Sequence, residues 1–310
     1  DFSRWYEWLR IRQVFFYAGW TLFGGLGWLM QSQGMAIVLN KFFPPLHYKA
    51  VNASYAIGGT VANYTQTLSS ALMNAFLPEI TAAEGRGDRA NVIHQMLRVA
   101  RFSFFLTILF AIPLIFETSF VLKLWLNTPP DHAVLFCRTF LVVFMVTRLM
   151  AGFDTAICAT GRIMWYQIVM GGLLISSVPV ACLILWLHGG LFGICGLLIG
   201  LAVVQLVGGA CFARHLLGCP VRQWGLEVLY PCSMATFGAI LLSYGNQQLM
   251  TLLPIPFWCR SLFVIVFSGF VTAILGWYWL VRPSERAKLL DQGGSILRKI
   301  GINLCARSER

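Results

Sequence analysis

The residues best suited to chemistry in this sequence lie inside apolar runs. A helical step from Asn52 reaches Ala56, Gly59, Asn63, Gln66, Ser70 and Asn74, with Thr60 and Thr67 bordering the same stripe. An unpaired amide in hydrocarbon costs several kcal/mol, so a lipid-facing helix would not align amides along its whole length. The stripe must face a neighbouring helix, where amides hydrogen-bond in a seam, or water in a cavity. Its length, with Asn52, Asn63, Gln66 and Asn74 all on one side, favours the cavity. An earlier run places Gly24, Gly27, Gln31 and Gly34 on one side, with Gln33 and Asn40 nearby. The glycines suit close packing, whereas Gln31 sits deep in the run and is a second candidate to line a cavity.

Two charges stand out. Arg148 falls mid-run, where a charge costs at least about 2.5–3.5 kcal/mol, so it needs a carboxylate partner, a cavity or an anionic ligand. Asp154 follows six residues on, about 240° further round the helix, and is a candidate for a coupling ion. On one helix the two cannot pair well. Arg138, near the end of the same run, can snorkel.

Enzyme chemistry finds little support. His47, His94, His132, His188 and His215 lie in loops or at run ends, and no HxxxH or Cys/His cluster offers metal-ligand spacing. The nine cysteines form no CxxC pair and read as small hydrophobes. There is no GxGxxG and no Walker motif. No catalytic residue, metal or cofactor is expected.

The elements that must position these residues are membrane helices. Hydrophobic residues make up 58% of the 310 and charged residues 11%, against about 45–50% and about 25% in soluble domains. That excludes a soluble enzyme, a nucleic-acid-binding domain and a disordered chain, despite the net charge of +11. Eight runs are long enough to span a bilayer: 14–38, 50–77, 99–121, 132–158, 166–187, 191–213, 227–245 and 259–281. The expected fold is all-α and polytopic, because open sheets cannot cross lipid and the alternation of a barrel is missing.

Charge sets the orientation. Arg10, Arg12, Arg86, Arg89, Arg98, Arg101, Arg162, Arg214, Arg222, Arg282 and Arg298 fall in one set of connecting segments, and the opposite set holds only Lys41, Lys49, Lys123 and Arg260. The basic set should be cytoplasmic, with both termini inside. Residues 1–13, with Trp5, Trp8, Leu9 and Arg12 on one side, read as an interfacial segment. Residues 282–310 read as a basic tail, with Leu289, Ile296, Leu297 and Ile300 at helical spacing. The stretch 78–98 reads as the largest inward loop, turning at Gly85-Arg86-Gly87-Asp88. Pro113, Pro179 and Pro231 are candidate kinks. The outward loops leave no room for an extramembrane domain.

Three stretches in order carry a family resemblance. They are Val51-Asn52-Ala53 through Pro78-Glu79-Ile80, then Val121-Leu122-Lys123-Leu124-Trp125-Leu126-Asn127-Thr128-Pro129-Pro130, then Ala159-Thr160-Gly161-Arg162 through Tyr166-Gln167-Ile168. Together they resemble the polysaccharide flippases of the multidrug/oligosaccharidyl-lipid/polysaccharide exporter superfamily, over about residues 13–190. The chain has Pro44-Pro45 where that family often has glycine, and Glu79 where it usually has glutamine.

The resemblance implies a bacterial inner-membrane transporter. Its substrate would be an undecaprenyl-pyrophosphate-linked repeat unit of O-antigen or capsule, moved to the outer leaflet by alternating access without covalent chemistry. Residues 14–213 would be the second of two six-helix lobes and 227–281 an additional helix pair. The partners implied are the lipid-linked oligosaccharide, the phospholipid bilayer and a first lobe preceding Asp1, with no nucleic acid. The polar stripe would line the cavity between lobes, and Arg148 would meet pyrophosphate or an acidic sugar. Alternatives are a lipid II flippase or a cation-coupled drug exporter of the same superfamily, with Asp154 holding the ion. A membrane-embedded polysaccharide polymerase fits the short outward loops less well, and a purely structural subunit would not need the amide stripe.

Overall fold

The computed structural model describes residues 8–44, 51–252, 254, 256–283 and 285–286, all helix or short connection. Helix α1 (Trp8–Leu29) passes through a π turn (Met30–Gly34) into α2 (Met35–Phe42) as one rod. Then come α3 (Val51–Gly85), α4 (Arg89–Phe116), the short α5 (Thr118–Leu126), and α6 (Ala133–Arg148) with α7 (Phe153–Ala159). Helices α8 (Met164–Trp186) and α9 (Gly190–Leu217) follow. Last are α10 (Val221–Trp224), a π turn (Gly225–Leu229), α11 (Tyr230–Thr251) and α12 (Phe257–Trp279).

The protein is an all-α, multi-pass membrane protein. Among the described residues six helical segments are long and apolar enough to cross a bilayer, or seven if the bent pair α6–α7 is one span. Helix α3 is longer still, at 35 residues, and is not among them. Its amides and hydroxyls set it apart from the other long rods, so the expected count of eight reduces to six or seven by composition.

Several boundaries differ from expectation. The inward stretch 78–98 is not a loop: α3 runs on to Gly85 with Pro78 inside it, and α4 begins at Arg89. Only the turn between them was read correctly. There Gly87 adopts φ +73°, and the Asp88 carboxylate caps α4 by accepting from the Asn91 N–H at 3.1 Å. The third expected run, 99–121, divides at Glu117 into α4 and α5. Residues 8–13 are the first turns of α1, continuous with the first span. The tail expectation for 287–310, like residues 1–7, lies outside the described residues.

Among the described residues two large apolar clusters hold the bundle, with a small third of Leu122, Ala133 and Cys137 joining α5 to α6. The larger joins Ile80, Val92, Met96, Ile108, Leu141, Phe153 and Trp224, binding α3, α4, α6, α7 and α10. The other joins Met35, Leu39, Tyr55, Phe136, Leu185 and Ile194 at the opposite end. Helix α3 packs between α4 and α6, while α11 and α12 pair and rest on α4. Helix α1 leans on α8, and its continuation α2 reaches α3. No substantial packing joins α1 itself to α3, so the two rods meet at α2 and part beyond it.

Candidate functional site

The sequence of α3 divides its faces by side-chain size. Ser54, Gly58, Ala62, Thr65 and Ser69 are buried and recur every three or four residues, beside the buried Tyr55. These small residues let α3 sit close to α6: a β-carbon on Gly58 would stand 2.9 Å from the Phe136 carbonyl carbon. The amide stripe occupies the other side. Asn63 and Asn74 are exposed, and Asn52, Gln66 and Ser70 are half-buried. Thr60 and Thr67 donate to their own backbone, to Ala56 O at 2.9 Å and Asn63 O at 3.0 Å. Among the described residues the four amide side chains make no hydrogen bond to one another or to another helix. Among the described residues the stripe is therefore not an amide seam.

The glycine face of α1 is a packing seam. A β-carbon on Gly27 would stand 2.8 Å from Gly171 O, and one on Gly34 would stand 2.7 Å from Val178 Cγ2, both on α8. Gly24 meets the Gln167 side chain of the same helix. Gln31 is half-buried within the π turn, and Gln33 and Asn40 are exposed. Gln31 thus belongs to the α1–α8 rod and does not join the α3 stripe.

The fourth expected run, 132–158, is broken. Helix α6 ends at Arg148, α7 begins at Phe153, and the two are bent by 44°. The bend turns on Gly152, whose φ of +88° suits glycine; a β-carbon there would also crowd Met96 O at 3.2 Å. This corrects the continuous-helix geometry assumed for Arg148 and Asp154. The prolines 113 and 179 lie inside α4 and α8, and Pro231 sits in the first turn of α11, without a break of this kind.

At the bend the Arg148 guanidinium lies 4.5 Å from the centroid of the Phe144 ring, and its buried Nε makes no hydrogen bond among the described residues. Asp154, in the first turn of α7, acts on it electrostatically without closing an ion pair. The Tyr166 hydroxyl on α8 donates to the Asp154 carboxylate, a part-buried contact. Trp224 Nε1 donates to Leu149 O at 3.3 Å, supporting a carbonyl freed by the break. Helices α3 and α6 run in the same direction from the Gly58–Phe136 contact. Arg148 and Ser70 lie equally far along from it, so Arg148 sits at about the depth of Gln66 and Ser70.

The structure thus brings Arg148 to the depth of the α3 stripe and gives Asp154 a tyrosine partner. Tyr166 and Trp224 were missed as supporting groups. Each acts across helices distant in sequence, and no spacing pattern points to such a pair. Arg138 does more than snorkel: its Nε donates to Ile115 O in the last turn of α4, at 3.0 Å. On the flank of α3 next to the stripe, a pocket of about 330 Å³ is lined by Val61, Tyr64, Thr65, Phe110, Leu114 and Trp125. Among the described residues no cluster of His, Cys, Asp or Glu has the arrangement to hold a metal ion.

No known protein family, no curated protein and no solved structure matches this chain.

Proposed function

We propose that this chain is part of a membrane transporter that moves a lipid-linked anionic glycan across a bilayer. In the form suggested by its resemblance to the polysaccharide flippases, it carries undecaprenyl-pyrophosphate-linked repeat units from the inner to the outer leaflet of a bacterial inner membrane. The observation that carries this reading is the amide row of α3. Among the described residues nothing hydrogen-bonds its amides, and Asn63 and Asn74 stand exposed, although α3 is long enough to cross the membrane. Such a row is stable against water or a polar ligand and unstable against acyl chains. The same helix bears the apolar pocket on its adjacent flank. A polar row beside an apolar pocket suits an amphipathic ligand, with its glycan on the amides and its lipid near the pocket. Arg148, over the Phe144 ring at the depth of the row, supplies a guanidinium for an anionic headgroup.

A cation-coupled exporter of the same superfamily is the second reading, favoured by the Asp154 carboxylate with its Tyr166 partner at the bend. The experiment is single-cysteine labelling in a cysteine-depleted background, combined with export of repeat units. Cysteines at Gly59, Asn63, Gln66 and Ser70 should react with a small water-soluble thiol reagent, and one at the buried Ala62 should not. Protection of all four overturns the aqueous row. Retained export in Arg148→Ala removes Arg148 from the substrate path. Loss of coupling in Asp154→Asn with substrate binding intact would favour the second reading.

A further inference from the structure

A second cluster of charge lies away from the α3 row, where α4 meets the end of α12. Arg101 is 3% exposed, and its terminal nitrogen pairs with Glu285 Oε1 at 3.2 Å. Arg98 Nε shares that same oxygen at 3.2 Å, and the other Glu285 oxygen accepts the Arg282 backbone N–H at 3.0 Å. The Arg282 side chain pairs with Glu227, which also accepts from Gln223 at 3.0 Å. Arg286 sits beside it, 5.4 Å from the centroid of the Tyr278 ring, donating to Val281 O and Tyr278 O.

Among the described residues, therefore, three guanidiniums share two carboxylates, and a fourth, that of Arg286, stands beside them on backbone carbonyls. The Arg101 Nε is buried and makes no hydrogen bond. A buried arginine that lacks a full partner is costly, and the surplus charge calls for an anion. The cluster opens outward at Arg98 and Arg282, which are 29% and 36% exposed.

Its depth says which anion. Trp277, Tyr278 and Trp279 form the exposed last turn of α12, an aromatic belt of the kind found at membrane–water interfaces. Arg282 and Glu285 come immediately after it, at headgroup level. Phe76 and Phe102 flank Arg98, with ring centroids 5.4 and 5.7 Å from its guanidinium, and give the opening an apolar rim. A free anion would need only the charge, whereas a phospholipid uses the charge, the depth and the rim together.

We infer that the cleft between α4 and the end of α12 binds the phosphate of one anionic phospholipid, seated on Arg98 and Arg282 with Arg101 behind them. The lipid completes the charge of the cluster and holds the α11–α12 pair against α4. The site is separate from the α3 row and does not depend on what the chain transports.

The test uses the full chain purified in a mild neutral detergent, titrated with dioctanoyl phosphatidylglycerol and followed by native mass spectrometry and thermal unfolding. One phosphatidylglycerol per chain should be retained and raise the unfolding temperature, while dioctanoyl phosphatidylcholine should do neither. Arg98→Gln should weaken binding about five-fold and Arg282→Gln similarly, while Arg98→Lys should keep most of it. Arg89→Gln, a basic residue at the same end paired with Glu84, should change nothing. If Arg98→Gln fails to fold, the Arg98→Lys and Arg282→Gln pair carries the comparison. Equal retention of both lipids, or unchanged binding in Arg98→Gln and Arg282→Gln, overturns the site. Displacement of the lipid by millimolar inorganic phosphate also overturns it, by showing a free-anion site.

Discussion

Helices α3 and α12 both lie on the outside of the bundle, and their inner faces are alike. Helix α12 buries Ser261, Val264, Ser268, Thr272 and Gly276, and α3 buries Ser54, Gly58, Ala62, Thr65 and Ser69. On both, buried hydroxyls donate to backbone a turn earlier: Ser268 to Val264 O at 2.6 Å, and Thr65 to Val61 O at 3.1 Å. The outer faces differ in their polar content, although α3 also exposes Tyr64 and Leu77. Helix α12 shows Leu262, Phe263, Val266, Phe270 and Ile274 to its surroundings, and α3 shows Asn63 and Asn74 with Gln66 and Ser70 beside them. Packing against neighbours is therefore satisfied in the same way on both helices. It is the uncovered face that reports what each must meet, acyl chains for α12 and something polar for α3.

The strongest way to break this comparison is to put the same charge on both faces. Val266→Arg, mid-way along α12, should cost at least about 2.5–3.5 kcal/mol and sharply lower the folded, membrane-inserted fraction. Asn63→Arg should cost less than about 1 kcal/mol on a polar face. Equal losses, measured by membrane yield and gel-filtration profile, would erase the distinction.

The contrast between covered and uncovered small residues is next in size. Gly27→Ala drives a β-carbon into the α8 backbone and should cost about 1–3 kcal/mol. Gly59→Ala, with nothing within 4 Å, should stay within about 0.5 kcal/mol. Unfolding temperatures of the two proteins in one detergent make the comparison. A neutral Gly27→Ala would mean that α1 does not seat on α8 as described.

A smaller effect concerns the bend that holds Arg148. Trp224→Phe removes the donor to Leu149 O while keeping an aromatic ring, and should cost about 0.5–1.5 kcal/mol. Any further loss of export beyond that explained by protein level would tie the bend to the polar row. The smallest expected change in stability is the most informative. Asn63→Leu, Gln66→Leu and Asn74→Leu combined remove no internal hydrogen bond, so the unfolding temperature should not fall, while export should. A seam would instead lose on the order of 0.6 kcal/mol per broken bond. A fall in stability would show that the row is covered after all.

Much of this was legible in the residues. The composition forced an all-α membrane fold, and the step from Asn52 identified the uncovered face of α3, because helical periodicity and the cost of an amide in hydrocarbon are local properties. The turn at residues 85–88 was equally local. The break at Gly152 was not legible: glycine occurs throughout the membrane runs, and only the approach of Met96 O and Val99 shows that this one must adopt positive φ. The length of α3 was underestimated because Pro78 and the charges after it look like a loop, yet the inner half packs on α4 through Ile80 and Ala83.

The sequence by itself determined that the chain crosses a membrane, which helix carries the polar row and which faces of that helix differ. The tertiary structure decided that the glycines of α1 are spent on α8 and that Arg148 and Asp154 flank a bend. It also decided that Glu285 and Glu227 meet arginines far away in sequence. The physical reason is one of range. Hydropathy and helical period act over a few turns and are written into neighbouring residues. Close approach, charge pairing and backbone bending depend on atoms contributed by helices that only the folded bundle brings together.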